Sequence, residues 1–460
     1  MPPTAPVHRR DFLRASAAGL ALYPTLGGAV ESAGGGLFAP RPTDFPAKAK
    51  HLVFVFLTGG FSHVDTFDYK PQLARDSGRV VPSVDLRGTG NQPLLGSPFR
   101  FTPRGDSGLM ISELFPRLGD LADDLCVIRT LHTDIVEHFQ AVLAMHTGSA
   151  TVPMPSLGSW VSHGLGTFNS NLPSYVVLCE HLPYAGSQVW DSSFLPPIHQ
   201  GVRLVPGDDP IPDLRPPSRP ITIEQLESLM LNDVNARHAA QRPADVDLRA
   251  RNATYDTARG MMRLAPEILD LGREPDSTRD AYGVARGDNR SFSAQCLLAR
   301  RLVERGVRVV ELIDTGAGDN WDAHGDMQAH RPKALRVDRA LAALIRDLKQ
   351  RGLFDQTLIA ICTEFGRTPW TDAPGTKGRN HYAKAFSCVL AGAGIKGGTA
   401  YGATDEHGIK IIADPVHVHD YHATILHAMG LDHRKLTYRY AGRDFRLTDV
   451  DGRVITPILS

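Results

Sequence analysis

The sequence predicts an α/β fold, a three-layer sandwich with a mostly parallel sheet and helices on both faces, and three observations carry that expectation. Six mainly apolar runs bounded by turn residues read as strands: His51–Leu57, Leu125–Leu131, Tyr175–Cys179, Val307–Ile313, Thr357–Cys362 and Phe386–Leu390. Their apolar residues are consecutive, not alternate, the pattern of strands covered on both faces. Helical periodicity fills the gaps, and alternation of strands with helices of that length implies βαβ units. Finally, 460 residues at 42% hydrophobic content suffice to bury a large core.

Taken in order, residues 1–33 precede the fold. Arg9 and Arg10 are followed by Phe12, Leu13 and a weakly apolar Ala/Leu/Gly run to about Ala29, the pattern of a twin-arginine export signal. An amphipathic helix would need a polar face, which the Ala-rich run lacks. The run is too short for a stable membrane anchor and no later stretch is long enough. The expectation is an exported protein, periplasmic or secreted, with no transmembrane segment in its mature chain.

The α/β domain then occupies 40–460. Leu341, Leu344, Ile345 and Leu348 mark one face of a helix over roughly 327–351, ended by Gly352, and Ser291–Gly306 forms another. Residues 195–290 read differently. Prolines crowd 206–220, Thr222 and Gln225 start a polar helix with a capping-box pattern, and strand signals are sparse up to 290. This stretch is expected to be an insertion or cap on the one α/β domain.

Composition excludes some partners. Lys+Arg equals Asp+Glu at 50 each, and no basic stripe stands out, so nucleic acid is not an expected partner. The five cysteines, 126, 179, 296, 362 and 388, are scattered and form no CxxC pair. Buried free thiols are expected, and a thiolate metal site is not.

The chemistry-bearing residues gather after strands, where an open α/β sheet places its sites. After the first strand comes TGGFSHVDTFDYKP, in which His63 and Asp65 are site candidates and Asp68 is expected to cap a helix. Segment 132–148, HTDIVEHFQAVLAMHTG, puts His132 and Asp134 at a helix entrance and His138 and His146 two turns apart on one face. Asp134 is explained by capping, and the histidines by a site wall. After the strand ending at Ile313, DTGAGDNWDAHGD offers Asp322 and His324 as metal ligands, with Asp319 and Asp326 expected to be solvated. Oxygen and imidazole donors of this kind suit Zn²⁺, Mn²⁺ or Fe. After the strand ending at Cys362 stand Glu364, Gly366 and Arg367, and a Pro/Gly loop then delivers His381. The histidines at 417, 419, 422 and 427 read as a surface helix start capped by Asp414 or Asp420.

Taken together, GGFSHVDTFD, HTDIVEHFQAVLAMHTG, WDAHGD, TEFGRTP, GRNHY and YAGRDFRLTDV resemble the bacterial domain-of-unknown-function family 1501, grouped with the alkaline phosphatase/sulfatase superfamily. The resemblance covers nearly all of 40–460. It implies an alkaline-phosphatase-like sandwich and counterparts for a loop Asp/His pair and a last His in Asp322, His324 and His381. It also marks departures. A metal-binding Asp that ends the superfamily's first strand is replaced by Gly59. The superfamily nucleophile falls on His138, ten residues before Gly148. The Asp-His-Gly ligand motif reads Glu364-Phe365-Gly366, retaining one ligand.

Two readings follow. In one, an exported hydrolase of phosphate or sulfate esters holds one divalent metal ion (Zn, Mn, Fe or Ca) through Asp322, His324 and His381, with Glu364, His63 and Asp65 as further candidates. Arg367 and His132 would bind a small anionic ester or a sulfated or phosphorylated glycan, and His138 would attack or position water. In the other, a non-catalytic metal- or anion-binding or assembly protein keeps the degenerate fold.

Overall fold

The computed structural model describes residues 39–82, 87–88, 91–212, 214 and 221–460; the expected export signal lies outside them. The strands used below are β1 (His51–Phe56), β2 (Leu125–His132), β3 (Tyr175–Cys179), β4 (Val202–Leu204), β5 (Val309–Ile313), β6 (Thr357–Cys362), β7 (Gly366–Thr371), β8 (Arg379–Tyr382), β9 (Phe386–Gly392), β10 (Thr399–Tyr401) and β11 (Val416–His417). The helices are α1 (His63–Thr66), α2 (His138–Thr147), α3 (Leu157–Leu165), α4 (Ile221–Ala240), α5 (Val246–Leu269), α6 (Phe292–Glu304), α7 (His330–Gln350) and α8 (Val418–Ala428).

β1 is buried at every position because its alternate side chains feed two separate cores. Val53 and Val55 pack with Leu297 of α6 and Leu341, Leu344 and Leu348 of α7. Leu52, Phe54 and Phe56 pack with Val142 of α2, Trp160 of α3 and Tyr421 of α8. Two apolar faces on one strand demand a helical layer on each side, which is the expected sandwich. The nine-stranded sheet runs β10-β2-β9-β6-β1-β5-β3-β4, with β11 beside β2. α6 and α7 fall where periodicity placed them, and Ser291 Oγ caps α6 by accepting the Ala294 N–H at 3.1 Å.

Three local expectations are corrected. β9 runs antiparallel to both β2 and β6, because the chain leaving β6 turns back through the β7–β8 ribbon and needs no crossover. β4, inside the stretch read as loop, adds a parallel edge to β3. α4, expected to be polar, turns Leu226, Leu229, Met230 and Val234 to solvent. Among the described residues no helix is long and apolar enough to cross a membrane. All five cysteines are free and buried.

The register positions the site. Phe56 is level with both Ile313 and Cys362, so the residues after β1, β5 and β6 emerge together at the C-terminal edge.

Candidate metal centre

Gly59 and Gly60 follow β1 with φ of +109° and +74°, a left-handed conformation that glycine adopts without strain. Their N–H groups aim at Glu364, the second residue after β6. Gly59 N–H reaches Oε1 at 2.8 Å and Gly60 N–H reaches Oε2 at 3.1 Å. His138, the first residue of α2, directs Nδ1 to Oε1 at 2.8 Å. Glu364 is fully buried among these donors, so it orients His138 and has little left to offer an ion.

Once its Nδ1 donates to Glu364, the neutral His138 ring carries its lone pair on Nε2. That atom lies 3.3 Å from Asp322 Oδ2 and makes no well-formed hydrogen bond. His381, on β8, repeats the arrangement: Nδ1 meets the Val136 carbonyl at 2.6 Å and Nε2 lies 3.2 Å from Asp322 Oδ1. His324 does so again, with Nδ1 3.2 Å from Asp372 Oδ2 and Nε2 2.8 Å from Asp322 Oδ1. The Nε2 atoms of His324 and His381 are 3.1 Å apart. Three imidazoles tied to oxygen at Nδ1 thus converge through Nε2 on one carboxylate. Ligand atoms of His138, Asp322 and His381 all lie within 4.8 Å of one another. Lone pairs so close repel unless a proton or cation sits among them, and an oxygen acceptor behind each imidazole is the usual support of a metal-binding histidine. The donor set fits a divalent ion.

The electrostatics agree. Burial works against ionisation of Asp322, but His138, His324, His381 and Arg367 outweigh it and hold the carboxyl far below its ordinary pKa. Burial, with Arg367 and His138 nearby, lowers His381 to about 4, so its ring is neutral at neutral pH. Burial also opposes protonation of His138, yet Asp322 and Glu364 raise its pKa above the ordinary value.

Of the remaining expected site residues Arg367 touches this cluster, and the others are engaged with different partners. Asp65 is spent on Arg379, with oxygens 2.7 and 3.2 Å from Nε and Nη2, and both side chains are completely buried. His63, on α1 with Asp65, directs Nε2 to the Gly408 carbonyl at 3.1 Å. Arg367 reaches the cluster but cannot present a free fork. Nε donates to Gly60 O at 2.8 Å, Nη1 to Arg379 O at 3.2 Å, and Nη2 to Gly59 O and Asp322. His132 stands at the end of β2 with its ring 5.2 Å from that of His417. Asp68 pairs with Lys70 at 2.9 Å and caps no helix. Asp134 is exposed four residues before α2, whose N-cap is Glu137. His146 meets Glu311 of β5 at 3.0 Å and packs in the core against Phe54 and Phe56 of β1. His417 itself is the N-cap of α8, with Asp420 completing the capping box.

Three participants were missed by sequence reasoning. Asp372 supports His324. Asn320 accepts the Asp322 N–H at 3.0 Å and fills the space beside Gly59, where an added Cβ would meet Asn320 Oδ1 at 2.6 Å. Tyr184 stacks on His138 with ring centroids 4.1 Å apart. It follows β3 by five residues, so the strand-end rule that found the others could have found it.

The fold and site define a three-layer α/β protein with a histidine-rich cluster at the C-terminal edge of its sheet. The chain belongs to the family described as "Protein of unknown function (DUF1501)", whose model matches residues 49–459. No curated protein matches it. Among solved structures it is similar to Ps i-CgsB in complex with k-i-k-neocarrahexaose, with TM-score 0.40 and 12% identity over 89% of this chain and 76% of that one. It is also similar to a protein in the alkaline phosphatase superfamily from Vibrio parahaemolyticus, with TM-score 0.37 and 12% identity over 92% and 74%. A third is the phosphonate monoester hydrolase SpPMH from Silicibacter pomeroyi, with TM-score 0.35 and 12% identity over 75% and 71%.

Proposed function

We propose that the chain is a divalent-metal-dependent hydrolase of phosphate or sulfate esters, acting on a small anionic ester or a sulfated or phosphorylated glycan. The observation that carries this is the convergence of the His138, His324 and His381 Nε2 atoms on Asp322. An ion bound there would supply positive charge for an ester oxygen and lower the pKa of a water. Three imidazoles suit Zn, Mn or Fe better than Ca. Glu364, the Val136 carbonyl and Asp372 hold the rings in the tautomer that ligation needs. Phe365 packs against His138 and His381, with centroids 4.8 and 4.5 Å away, and keeps water from that side. On this reading His138 is a ligand and not the attacking group.

One observation favours the second reading, a non-catalytic metal- or anion-binding or assembly protein. Arg367 is committed to backbone carbonyls and Asp322. Metal analysis of the purified protein and a panel of phosphate and sulfate esters, with Asp322→Ala as control, decide between them. Turnover that requires metal and vanishes in the variant supports the hydrolase. Tight metal binding without turnover of any ester supports the second reading, and binding of neither metal nor anion sinks both.

We further propose that residues 1–33 direct twin-arginine export to the periplasm or beyond. Replacing Arg9 and Arg10 by lysine should retain the protein in the cytoplasm, and unchanged export would refute the assignment.

A further inference from the structure

The hydrogen-bond donors of the chain at this centre are almost all consumed within it. Gly59 and Gly60 give their N–H groups to Glu364, and Arg367 gives its own to carbonyls and Asp322. The hydroxyl of Tyr184 differs. Its ring lies 9° from parallel with His138, and the residue is half-buried. Its oxygen is 2.9 Å from Asn320 Nδ2.

The Asn320 amide has one workable orientation. Oδ1 accepts the Asp322 N–H at 3.0 Å, and Nδ2 donates to the Gly316 carbonyl at 3.1 Å. The remaining Nδ2 proton is the one that meets Tyr184, so the phenol oxygen accepts there and its own proton must point elsewhere. Among the described residues, no acceptor takes that proton. The centre therefore carries an O–H donor whose proton is uncommitted among the described residues, stacked on a candidate ligand and braced by the residue that also braces Asp322.

We propose that Tyr184 donates this hydrogen bond to a non-bridging oxygen of the tetrahedral anion bound at the centre, with Asn320 as its positioning residue. The phenol keeps its proton throughout. The proposal rests on the metal-centre reading above and supplies what Arg367 cannot, a substrate contact made by the chain itself. A neutral donor of this kind is worth roughly 10- to 100-fold in affinity when its partner is charged.

Tyr184→Phe keeps the stack and removes only the hydroxyl. Zinc is first titrated into wild type and variant against a competing chelator. Orthovanadate and inorganic sulfate are then titrated calorimetrically into the zinc-loaded proteins. The expected result is zinc affinity within about twofold and anion affinity lower by about 10- to 100-fold in the variant. Equal anion affinity in the two proteins overturns the proposal. A parallel loss of zinc affinity also overturns it, because Tyr184 would then be shaping the cluster instead of meeting the anion. Wild type that binds zinc but neither anion removes the Tyr184 assignment and leaves the metal centre standing. Failure of wild type to bind zinc appears in the first titration, and refutes the metal reading together with this proposal.

Discussion

Replacing Glu364 by glutamine probes how the centre is held, because the carboxylate is met only by donors. Gly59 N–H at 2.8 Å and His138 Nδ1 at 2.8 Å share Oε1, while Gly60 N–H at 3.1 Å takes Oε2. A glutamine oxygen in the Oε1 position serves the first two and turns its NH₂ toward Thr363 Oγ1, which lies 2.8 Å from Oε2 and also accepts the Gly60 N–H at 3.0 Å, so this orientation loses the charge of the acceptor and the second bond of Gly60. The opposite flip turns the NH₂ toward His138 and forces the ring into the other tautomer, so that Nε2 loses its lone pair. Loss of hydrogen bonds to a charged acceptor costs about 1.5–3 kcal/mol, which urea denaturation of the metal-free protein would measure. A neutral oxygen behind the imidazole in one orientation, or none in the other, weakens metal binding by up to roughly 10- to 100-fold. Chelator competition with zinc reads that loss directly. Because Glu364 acts through His138, adding Glu364→Gln to His138→Ala should weaken zinc no further. Zinc affinity within twofold of wild type, or full additivity in the double variant, would refute the reasoning.

Three further outcomes are expected. Stripping the ion from metal-loaded protein should lower its melting temperature, since an ion at 100 times its Kd contributes about 2.7 kcal/mol; a scanning-calorimetry trace unmoved by chelator would contradict a folded-state site. Asp65→Ala strands the fully buried Arg379 and should cost about 3–5 kcal/mol in urea titration; a cost below 1 kcal/mol would show that the guanidinium finds another acceptor. Metal-free protein should be less stable at pH 5 than at pH 7. Burial lowers His51 and His163 to about 4 and His330 and His422 to about 3, so the unfolded chain takes up protons near pH 6.5 that the folded chain refuses, and stability falls as pH drops through that window. His138, raised, and Asp314, raised to about 6 by burial, act in the opposite sense but are fewer. Greater stability at pH 5 would show that the second group dominates.

The site was partly legible because strand ends are. Asp322, His324 and Glu364 follow apolar runs whose boundaries the sequence marks, and parallel register brings such ends together, while His381 arrives on the antiparallel β7–β8 ribbon. Their roles were not legible. Glu364 looked like a ligand because it is a carboxylate in a ligand's place; two glycine amides 305 and 304 residues away in sequence turn it into a support. His63 and Asp65 carried the same local signal as Asp322 and His324. Arg379, two residues before His381 on β8, holds Asp65 in a fully buried pair. Arg367 read as an anion fork, yet the tight turn at Gly59 and Gly60 exposes the carbonyls that occupy it. Hydrophobic pattern also carries no strand direction, which is why the reversed β9 could not be foreseen.

By itself the sequence determined the layers and the edge at which the chemistry gathers, because burial on two faces and turns at strand ends are local properties of a chain. Only the tertiary structure decided which polar residues meet and in what state. Hydrogen-bond partners more than 200 residues away set the tautomers of His138 and His381. They leave His138 Nε2 facing Asp322, and the hydroxyl of Tyr184 accepting from Asn320 with its own proton uncommitted among the described residues.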